Sequence, residues 1–422
     1  MRLRQTLFAN MVSLSIRLGA NFALNKILAI LIGPAGFALV GQLQNFIMLI
    51  QSATSGALTT GITKLTAQAE GNLGRQRQIW STSLTAVLLL SLVVAIMIIC
   101  LRGWIATSIL GDPVFRTPLL WAAITLAAFG INYVIAAIFA GKSDVRPYAS
   151  LNSAIALFNL FIVTAGAYFG HIEGALLASA ISQSCALVVG VFLLYRRKFY
   201  DLNITRPLLD PALVGELAKY GLMALAAAAS LSVGQIMVRS QIIDNFGLVT
   251  AGMYEALWRL SNINLLLFST TLMVYALPKM TRIIDKSEFR AFYLKALAAA
   301  TGFAALLFAS EYLLRTPLFH LLFTSEFQPA SDYFSYQAIG DLARVAALVT
   351  STALIALSRA GLYIALEIIR FACFVMISGW LMQSHAEDAP ALAYMLSFCV
   401  SALIGLAMMM FTGNEGLRGS VK

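Results

Sequence analysis

Apolar residues run through this chain in twelve stretches of about twenty, divided by short polar connections. A stretch of about twenty apolar residues makes a helix long enough to cross the hydrocarbon core of a bilayer. The pattern predicts twelve transmembrane helices, over 7–32, 36–62, 82–101, 117–140, 147–168, 173–195, 214–243, 249–276, 291–313, 332–357, 360–382 and 390–411. The expected fold class is an all-α polytopic membrane protein. The opening MRLRQTLF sets two arginines ahead of an apolar run, as a secretory leader does. Arg17, Asn21, Asn25 and Lys26 interrupt that run and no small-residue cleavage site follows, so it reads as the first transmembrane helix.

The connections set the orientation. With the N-terminus inside, the inner segments carry eighteen Lys and Arg, from Arg2 and Arg4 through Arg196, Arg197 and Lys198 to Lys422. The outer loops carry three, Arg102, Arg116 and Arg315. Cytoplasmic loops hold the excess of cations, so both termini are expected in the cytoplasm. The longest inner loop divides the chain into an N-lobe (1–200, helices one to six), a connecting loop (201–213) and a C-lobe (214–422, helices seven to twelve). The halves look related at an offset of 215 residues: Lys64 maps onto Lys279, and Tyr148 and Leu151 map onto Tyr363 and Leu366. Gly36 and Gly252 miss that register by one. Halves with an even number of spans insert in the same direction, as in transporters built from parallel repeats. Two facing bundles with a cavity between them, rocking to open each side in turn, are the expected working arrangement.

Polar side chains mark the helix faces that such a cavity would need. Ser13, Arg17, Asn21 and Asn25 recur every fourth residue in span one, on one slowly drifting face. Gln42 and Asn45 belong to a stripe in span two, Gln235 and Arg239 to one in span seven, and Glu255, Arg259 and Asn262 to one in span eight. Spans three, five, six, nine and twelve are nearly all apolar and are expected to face lipid or to pack within each lobe. Neutral polar groups also serve as hydrogen bonds between membrane helices, so a stripe alone does not make a site.

The intramembrane cations carry more weight. Arg17, Lys26, Arg239, Arg259, Arg344 and Arg370 lie inside the spans, where each costs about 2.5–3.5 kcal/mol at the centre on insertion scales. Glu255 with Arg259, Asp341 with Arg344 and Glu367 with Arg370 have helical pairing distance, as structural pairs or as ion-coupling groups. Arg17, Lys26 and Arg239 have no acid within helical reach, and the N-terminal half has none deep in its spans. Lys26 and Arg239 could snorkel toward the outer interface, and Lys219 and Lys295 toward the inner one. Six bases against three acids leave a positive surplus suited to phosphate, which arginine grips bidentately.

Composition removes several classes. The 422 residues are 60% hydrophobic and 11% charged, and the net charge of +10 follows from the loop cations, so nucleic acid is not an expected partner. Cys100, Cys185, Cys373 and Cys399 show no CxxC spacing, and His171, His320 and His385 are isolated, so neither a disulfide framework nor a metal site is expected. No GxxxxGK[ST] loop is present, so ATP is not expected, and no other cofactor is called for.

The stretches RLGANFALNKILAILIGPAGFALVGQLQNF (17–46), SGALTTGITKLTAQ (55–68), ALPKMTRI (276–283) and ALSRAGLYIALEIIRF (356–371) resemble the bacterial lipid-linked oligosaccharide flippases. These belong to the multidrug/oligosaccharidyl-lipid/polysaccharide exporter superfamily. The likeness is to the O-antigen translocase branch, which includes flippases for enterobacterial common antigen lipid III. That resemblance implies a V-shaped pair of six-helix lobes around a cationic cavity in the bacterial inner membrane. The implied cargo is an undecaprenyl-diphosphate oligosaccharide, with membrane lipids and polysaccharide polymerase machinery as partners. It implies that Arg17 and Lys26 meet the diphosphate, with Arg239 and Arg259 in the corresponding role on helices seven and eight. A multidrug exporter of the same superfamily is the alternative, but it would carry an intramembrane carboxylate in the N-terminal half. A membrane glycosyltransferase or polymerase is a third reading, and the chain has no DxD and no large outer loop to serve it.

Overall fold

The computed structural model describes residues 3–197, 209–283, 285–384 and 386–412. The 201–208 part of the expected connecting loop, His385, Arg418 and Lys422 lie outside the described residues, as does the side chain of Lys219. Described residues form helices and turns, with no strand among them. That follows from the solvent: in hydrocarbon each backbone N–H and C=O must find its partner within the segment.

Eight helical stretches are long and apolar enough to cross a membrane, and two of them contain two passes. The helix from Leu3 to Gln51 breaks at Gly33 (φ 61°), and that from Val145 to Cys185 breaks at His171 (φ 47°). The helix Pro211–Thr271 breaks in the same way at Gly247 (φ 84°). Glycine reaches that left-handed region without a steric penalty. The breaks resolve the described residues into twelve membrane-length helices. These are α1 (3–32), α2 (34–68), α3 (Leu73–Trp104), α4 (Arg116–Gly141), α5 (145–170) and α6 (172–196). Then follow α7 (211–246), α8 (248–280), α9 (Lys286–Leu313), α10 (Phe334–Ala356), α11 (Ala360–Leu381) and α12 (Ala389–Thr412). The chain is an all-α polytopic membrane protein.

The helices overrun the predicted spans where they leave the apolar core. α3 starts at Leu73 rather than 82: Asn72 caps it by accepting from the Arg75 amide at 3.0 Å. Its polar first turns then pack on α2, where Gln76 and Trp80 donate to the Thr66 carbonyl and hydroxyl at 3.2 and 3.0 Å. Hydropathy sees only the apolar portion of such a helix. In the most apolar eighteen-residue windows of Leu73–Ile109 and Lys286–Leu313, 22% and 17% of residues are buried, so α3 and α9 present mostly exposed apolar side chains, as expected of lipid-facing helices.

Packing gathers the chain into two compact units: residues up to Ile32 with Leu39–Ile236, and Gly33–Ala38 with residues from Met237 on. The lobe division at 200 and 214 follows the loops, whereas these units follow the proximity of the backbone. In the first unit Leu213 and Leu217 of α7 join Leu58, Ile62, Ile79 and Trp80 in one core. In the second, Phe37 sets its ring edge-on to Phe323 and Phe327 at centroid distances of 5.9 and 5.4 Å. Backbone features recur at the offset read from sequence. Ser143 (φ 53°) and Ser358 (φ 55°), 215 residues apart, both turn the chain after a helix. Gly33 and Gly247 lie 214 apart, and π-helical turns interrupt α2 at Ser52–Gly56 and α8 at Leu272–Ala276.

Two local arrangements hold these helices in place. α5 and α6 approach through Gly166 and Gly174, where a Cβ on Gly174 would lie 2.1 Å from the Gly166 carbonyl oxygen. Small residues allow this closeness between membrane helices. In the second unit, Arg370 of α11 donates through Nη1 to both Glu367 oxygens at 2.9 and 2.8 Å, through Nε to Ser401 of α12 and through Nη2 to Ser351 of α10. Ser351 in turn donates to Glu367 at 3.1 Å, closing the network.

Gly174→Val is expected to lose roughly 1–3 kcal/mol or more from overpacking against backbone, seen as a lowered thermal midpoint in detergent. Gly170→Ala, which meets nothing within 4 Å, should leave that midpoint unchanged. Glu367→Gln leaves Arg370 buried without its counter-charge and should cost about 3–5 kcal/mol. The double change Glu367→Gln with Arg370→Met should recover most of the loss in the same measurement.

Candidate functional site

Helix α1 brings its polar face to the interior of the first unit. Ser13 fixes its rotation: its hydroxyl donates to the Ala149 carbonyl and accepts from Ser153, each at 3.0 Å, both on α5. One and two turns later, Arg17 and Asn21 reach the wall of a cavity of about 410 Å³. Thr59 and Thr63 of α2, Asn132 and Tyr133 of α4, Tyr148, Asn152 and Asn159 of α5, and Gln183 of α6 complete its polar lining. Arg17 is the one charged side chain among the described lining residues, and no carboxylate lines the cavity.

Neighbouring hydrogen bonds hold these polar groups in position. Ser182 donates to Asn159 at 2.8 Å, Asn132 donates to the Gln183 carbonyl at 3.2 Å, and Asn152 donates to the Tyr148 carbonyl at 2.9 Å. The Asn132 side-chain amide oxygen is buried with no hydrogen-bond partner among the described residues. A second cavity of about 480 Å³ shares Thr59, Thr63, Ala140 and Tyr148 with the first and adds Lys64 and Ser143. Polar lining therefore continues from the 142–144 turn to Arg17. In that turn, burial draws the Lys142 ammonium below its ordinary pKa, against the pull of Asp144, and the ammonium lies 5.2 Å from the Trp80 ring centroid. A planar guanidinium surrounded by amides, hydroxyls and two phenol rings suits an anionic, polyhydroxylated ligand.

The other residues singled out in α1, α2 and α7 occupy different surroundings. Asn25 and Gln42 are buried, and Gln42 donates to the Ile236 carbonyl at 3.3 Å. Asn45 and Lys26 are half-buried, and Lys26 is not on the wall of the Arg17 cavity. Gln235 is buried, with its amide nitrogen unpartnered among the described residues.

In the second unit the cations are tied to acids and rings. Glu255 is buried between two arginines: Arg239 donates to one oxygen and Arg259 Nε to the other at 2.8 Å. Arg239 had no acid within helical reach in sequence, because Glu255 meets it only after the chain reverses at Gly247. The Arg259 guanidinium also lies 4.2 Å from the Phe37 ring centroid. Asp341 and Arg344 do not form the direct pair their spacing suggested. The Tyr394 hydroxyl donates to Asp341 at 2.5 Å and accepts from Arg344 at 3.3 Å, standing between them. Asp341 also accepts from Ser261 at 2.6 Å. Arg344 donates to the exposed Asn262 at 3.3 Å and lies over Trp258, 4.4 Å from its centroid.

Helices α5 and α6 correct one expectation. Their apolar sequences predict lipid-facing or packing helices, yet Tyr148, Asn152, Asn159 and Gln183 line the Arg17 cavity. Average hydropathy hid them because polar positions are sparse in these spans. Their signal was the spacing of Tyr148, Asn152 and Asn159, four and seven residues apart on one helix face.

Comparison with known proteins agrees with this architecture. The chain is 25% identical over 390 residues to the lipid III flippase of Escherichia coli (strain K12), covering 91% of this chain and 92% of that protein. The same figures hold for the lipid III flippase of Shigella flexneri. In fold it is similar to an inward-facing multidrug resistance MATE family transporter of the MOP superfamily. That likeness has a TM-score of 0.76 at 14% identity, covering 97% of this chain and 96% of the other. A family model described as polysaccharide biosynthesis protein matches residues 3–284, and the chain belongs to that family.

Proposed function

We propose that this protein is a flippase that carries an undecaprenyl-diphosphate-linked oligosaccharide, an O-antigen or common-antigen repeat unit, from the cytoplasmic to the periplasmic leaflet of the bacterial inner membrane. The observation that carries the reading is the cavity that sets Arg17 among amides and hydroxyls without a carboxylate. The likeness to lipid III flippases over 91% of the chain supports it. A diphosphate and a sugar chain cannot enter hydrocarbon unaided, whereas the lipid tail can remain there. Arg17 would meet the diphosphate, and Asn21, Asn152 and Asn159 would hydrogen-bond the sugar. Lys26, about 13 Å farther along α1, would receive the phosphates on the outward side. Arg239 and Arg259 both bind Glu255, and Arg259 would be the further phosphate contact of this reading. The site would open alternately to the two sides of the membrane.

With both termini in the cytoplasm, as the loop cations favour, export moves negative charge outward. Each charge then gains about 2.3 kcal/mol per 100 mV of inside-negative potential, which would drive transport without ATP. Glu255, Asp341 and Glu367 remain the residues to test for ion coupling. The multidrug alternative has no carboxylate among the described residues lining the Arg17 cavity to hold a cation. The protein would move its cargo unchanged, as a transporter rather than an enzyme, and deliver it to the polymerase machinery.

The first test is the pool of inner-leaflet lipid-linked oligosaccharide in a host deleted for this gene, rescued at matched expression. The wild type should clear the accumulated lipid, Arg17→Ala should fail to, and Arg17→Lys should restore part of the activity. Clearance by Arg17→Ala at the wild-type rate would remove Arg17 from the cargo path. A deletion that leaves the pool unchanged would overturn the cargo assignment. In proteoliposomes with the protein in its cellular orientation, an inside-negative potential should accelerate outward movement of the labelled lipid. A rate indifferent to potential would mean that no net charge moves with the cargo.

A further inference from the structure

The second unit carries an elongated groove of about 720 Å³ between α8 and α9 that the proposed function does not use. That volume is within the roughly 300–1,000 Å³ range of small-molecule sites. Phe268, Leu272 and Ala276 form one wall, and Phe292, Ala296 and Ala300 form the other. The groove opens outward: Leu267, Tyr275 and Phe303 on its rim are 40%, 63% and 61% exposed. The π-helical turn Leu272–Ala276 forms part of the α8 wall, and alanines give the α9 wall its depth.

Charge is concentrated toward one end. Lys279 and Glu288 lie toward that end and Lys295 follows about two turns along α9, while the rest of the lining is apolar except Thr271 and Tyr275. The Lys279 ammonium lies 4.7 Å from the Phe292 ring centroid and 5.8 Å from that of Tyr275, so aromatic faces hold it at the mouth. The loop cations place this end of α8 and α9 at the cytoplasmic surface. Arg282, Lys286 and Arg290 lie nearby in the chain and add positive potential.

We propose that this groove binds an anionic phospholipid of the cytoplasmic leaflet, with one acyl chain along the apolar walls and its phosphate at Lys279 and Lys295. Length selects this occupant. From Leu267 to Lys279 α8 rises about 18 Å, and from Glu288 to Phe303 α9 rises about 22 Å, against a hydrocarbon core of about 30 Å. The groove therefore stops short of crossing the bilayer and matches the reach of one extended acyl chain whose phosphate rests at the interface. An undecaprenyl tail is several times longer and would overrun it. Basic pockets between membrane helices on the cytoplasmic side recognise anionic lipid heads through the same electrostatics. This site is independent of the cargo assignment and needs only a membrane protein of the stated orientation.

The test uses the full chain in detergent, loaded separately with dioleoyl phosphatidylglycerol, dioleoyl phosphatidylethanolamine or undecaprenyl phosphate, with retained lipid read by native mass spectrometry. The wild type should retain phosphatidylglycerol in preference to phosphatidylethanolamine. The double variant Lys279→Gln, Lys295→Gln should lose that preference by about thirtyfold, at about fivefold for each lysine. Its thermal midpoint in phosphatidylethanolamine should stay at the wild-type value. Ala299→Trp, at an exposed position on the groove wall, should reduce retention of both phospholipids by filling the acyl channel. A preference that survives the double variant, or retention unaffected by Ala299→Trp, would overturn the proposal. Tighter retention of undecaprenyl phosphate than of phosphatidylglycerol would also overturn it and give the groove to a polyprenyl chain.

Discussion

A guanidinium inside a membrane must be paired, stacked or hydrated, because an isolated charge in low dielectric is too costly to keep. This constraint sorts the arginines of the chain. Arg239 and Arg259 close on Glu255, and Arg370 closes on Glu367 with two serines. Arg344 reaches its acid through Tyr394 and covers Trp258. Arg239 with Glu255, Arg370 with Ser401 and Ser351, and Arg344 with Tyr394 join residues of different helices, so these contacts also fix how the helices of the second unit are aligned. Arg17 is solved differently: it faces a cavity lined by amides, hydroxyls and phenols, where water or a ligand can meet it. That contrast is why the proposed function gives Arg17 a counter-charge from outside the protein.

The two halves share a backbone plan and divide the chemistry. Ser143 and Ser358 turn the chain at matching places, and Gly33 and Gly247 reverse it within one residue of the same register. Side chains on equivalent helices then differ. Lys64 at the end of α2 stands beside Thr59, Thr63 and Ser143 in a polar cavity. Lys279 at the end of α8 stands beside Tyr275, Ala276 and Phe292 in an apolar one. Equivalent cations thus stand in a polar cavity in one unit and at an apolar groove in the other.

Much of the architecture was legible because hydropathy responds directly to the bilayer: twelve spans, their order and the reversal near Gly33 all follow from apolar run length. Helix ends were less legible, since the polar first turns of α3 leave the hydrocarbon while staying helical and buried against α2. Pairing along one helix was visible for Glu255 with Arg259 and for Glu367 with Arg370, where spacing sets distance. Pairing across a reversal was not, and Arg239 therefore looked unaccompanied. The α5 and α6 linings were overlooked for a related reason. A few asparagines on a long apolar helix change its average little, yet they determine what one face can bind. Arg17 was legible as a cation with no acid in helical reach, while the company it keeps had to come from the fold.

Those neighbours bear on how tightly Arg17 would hold a phosphate. At 4 Å, unit charges attract by about 1 kcal/mol in water and about 4 kcal/mol at an effective dielectric near 20, and the ideal low-dielectric limit is far stronger. A phosphate bound by several arginines in a dry pocket would be held too tightly to leave. Water in a cavity lined by Asn21, Asn132, Asn152, Asn159 and Gln183 would keep the dielectric high around Arg17. Amides exchange partners with water at little net cost, so they can follow a sugar chain without trapping it. A transporter must bind its cargo on one side and release it on the other, and specificity spread over weak neutral contacts with a single cation meets both demands.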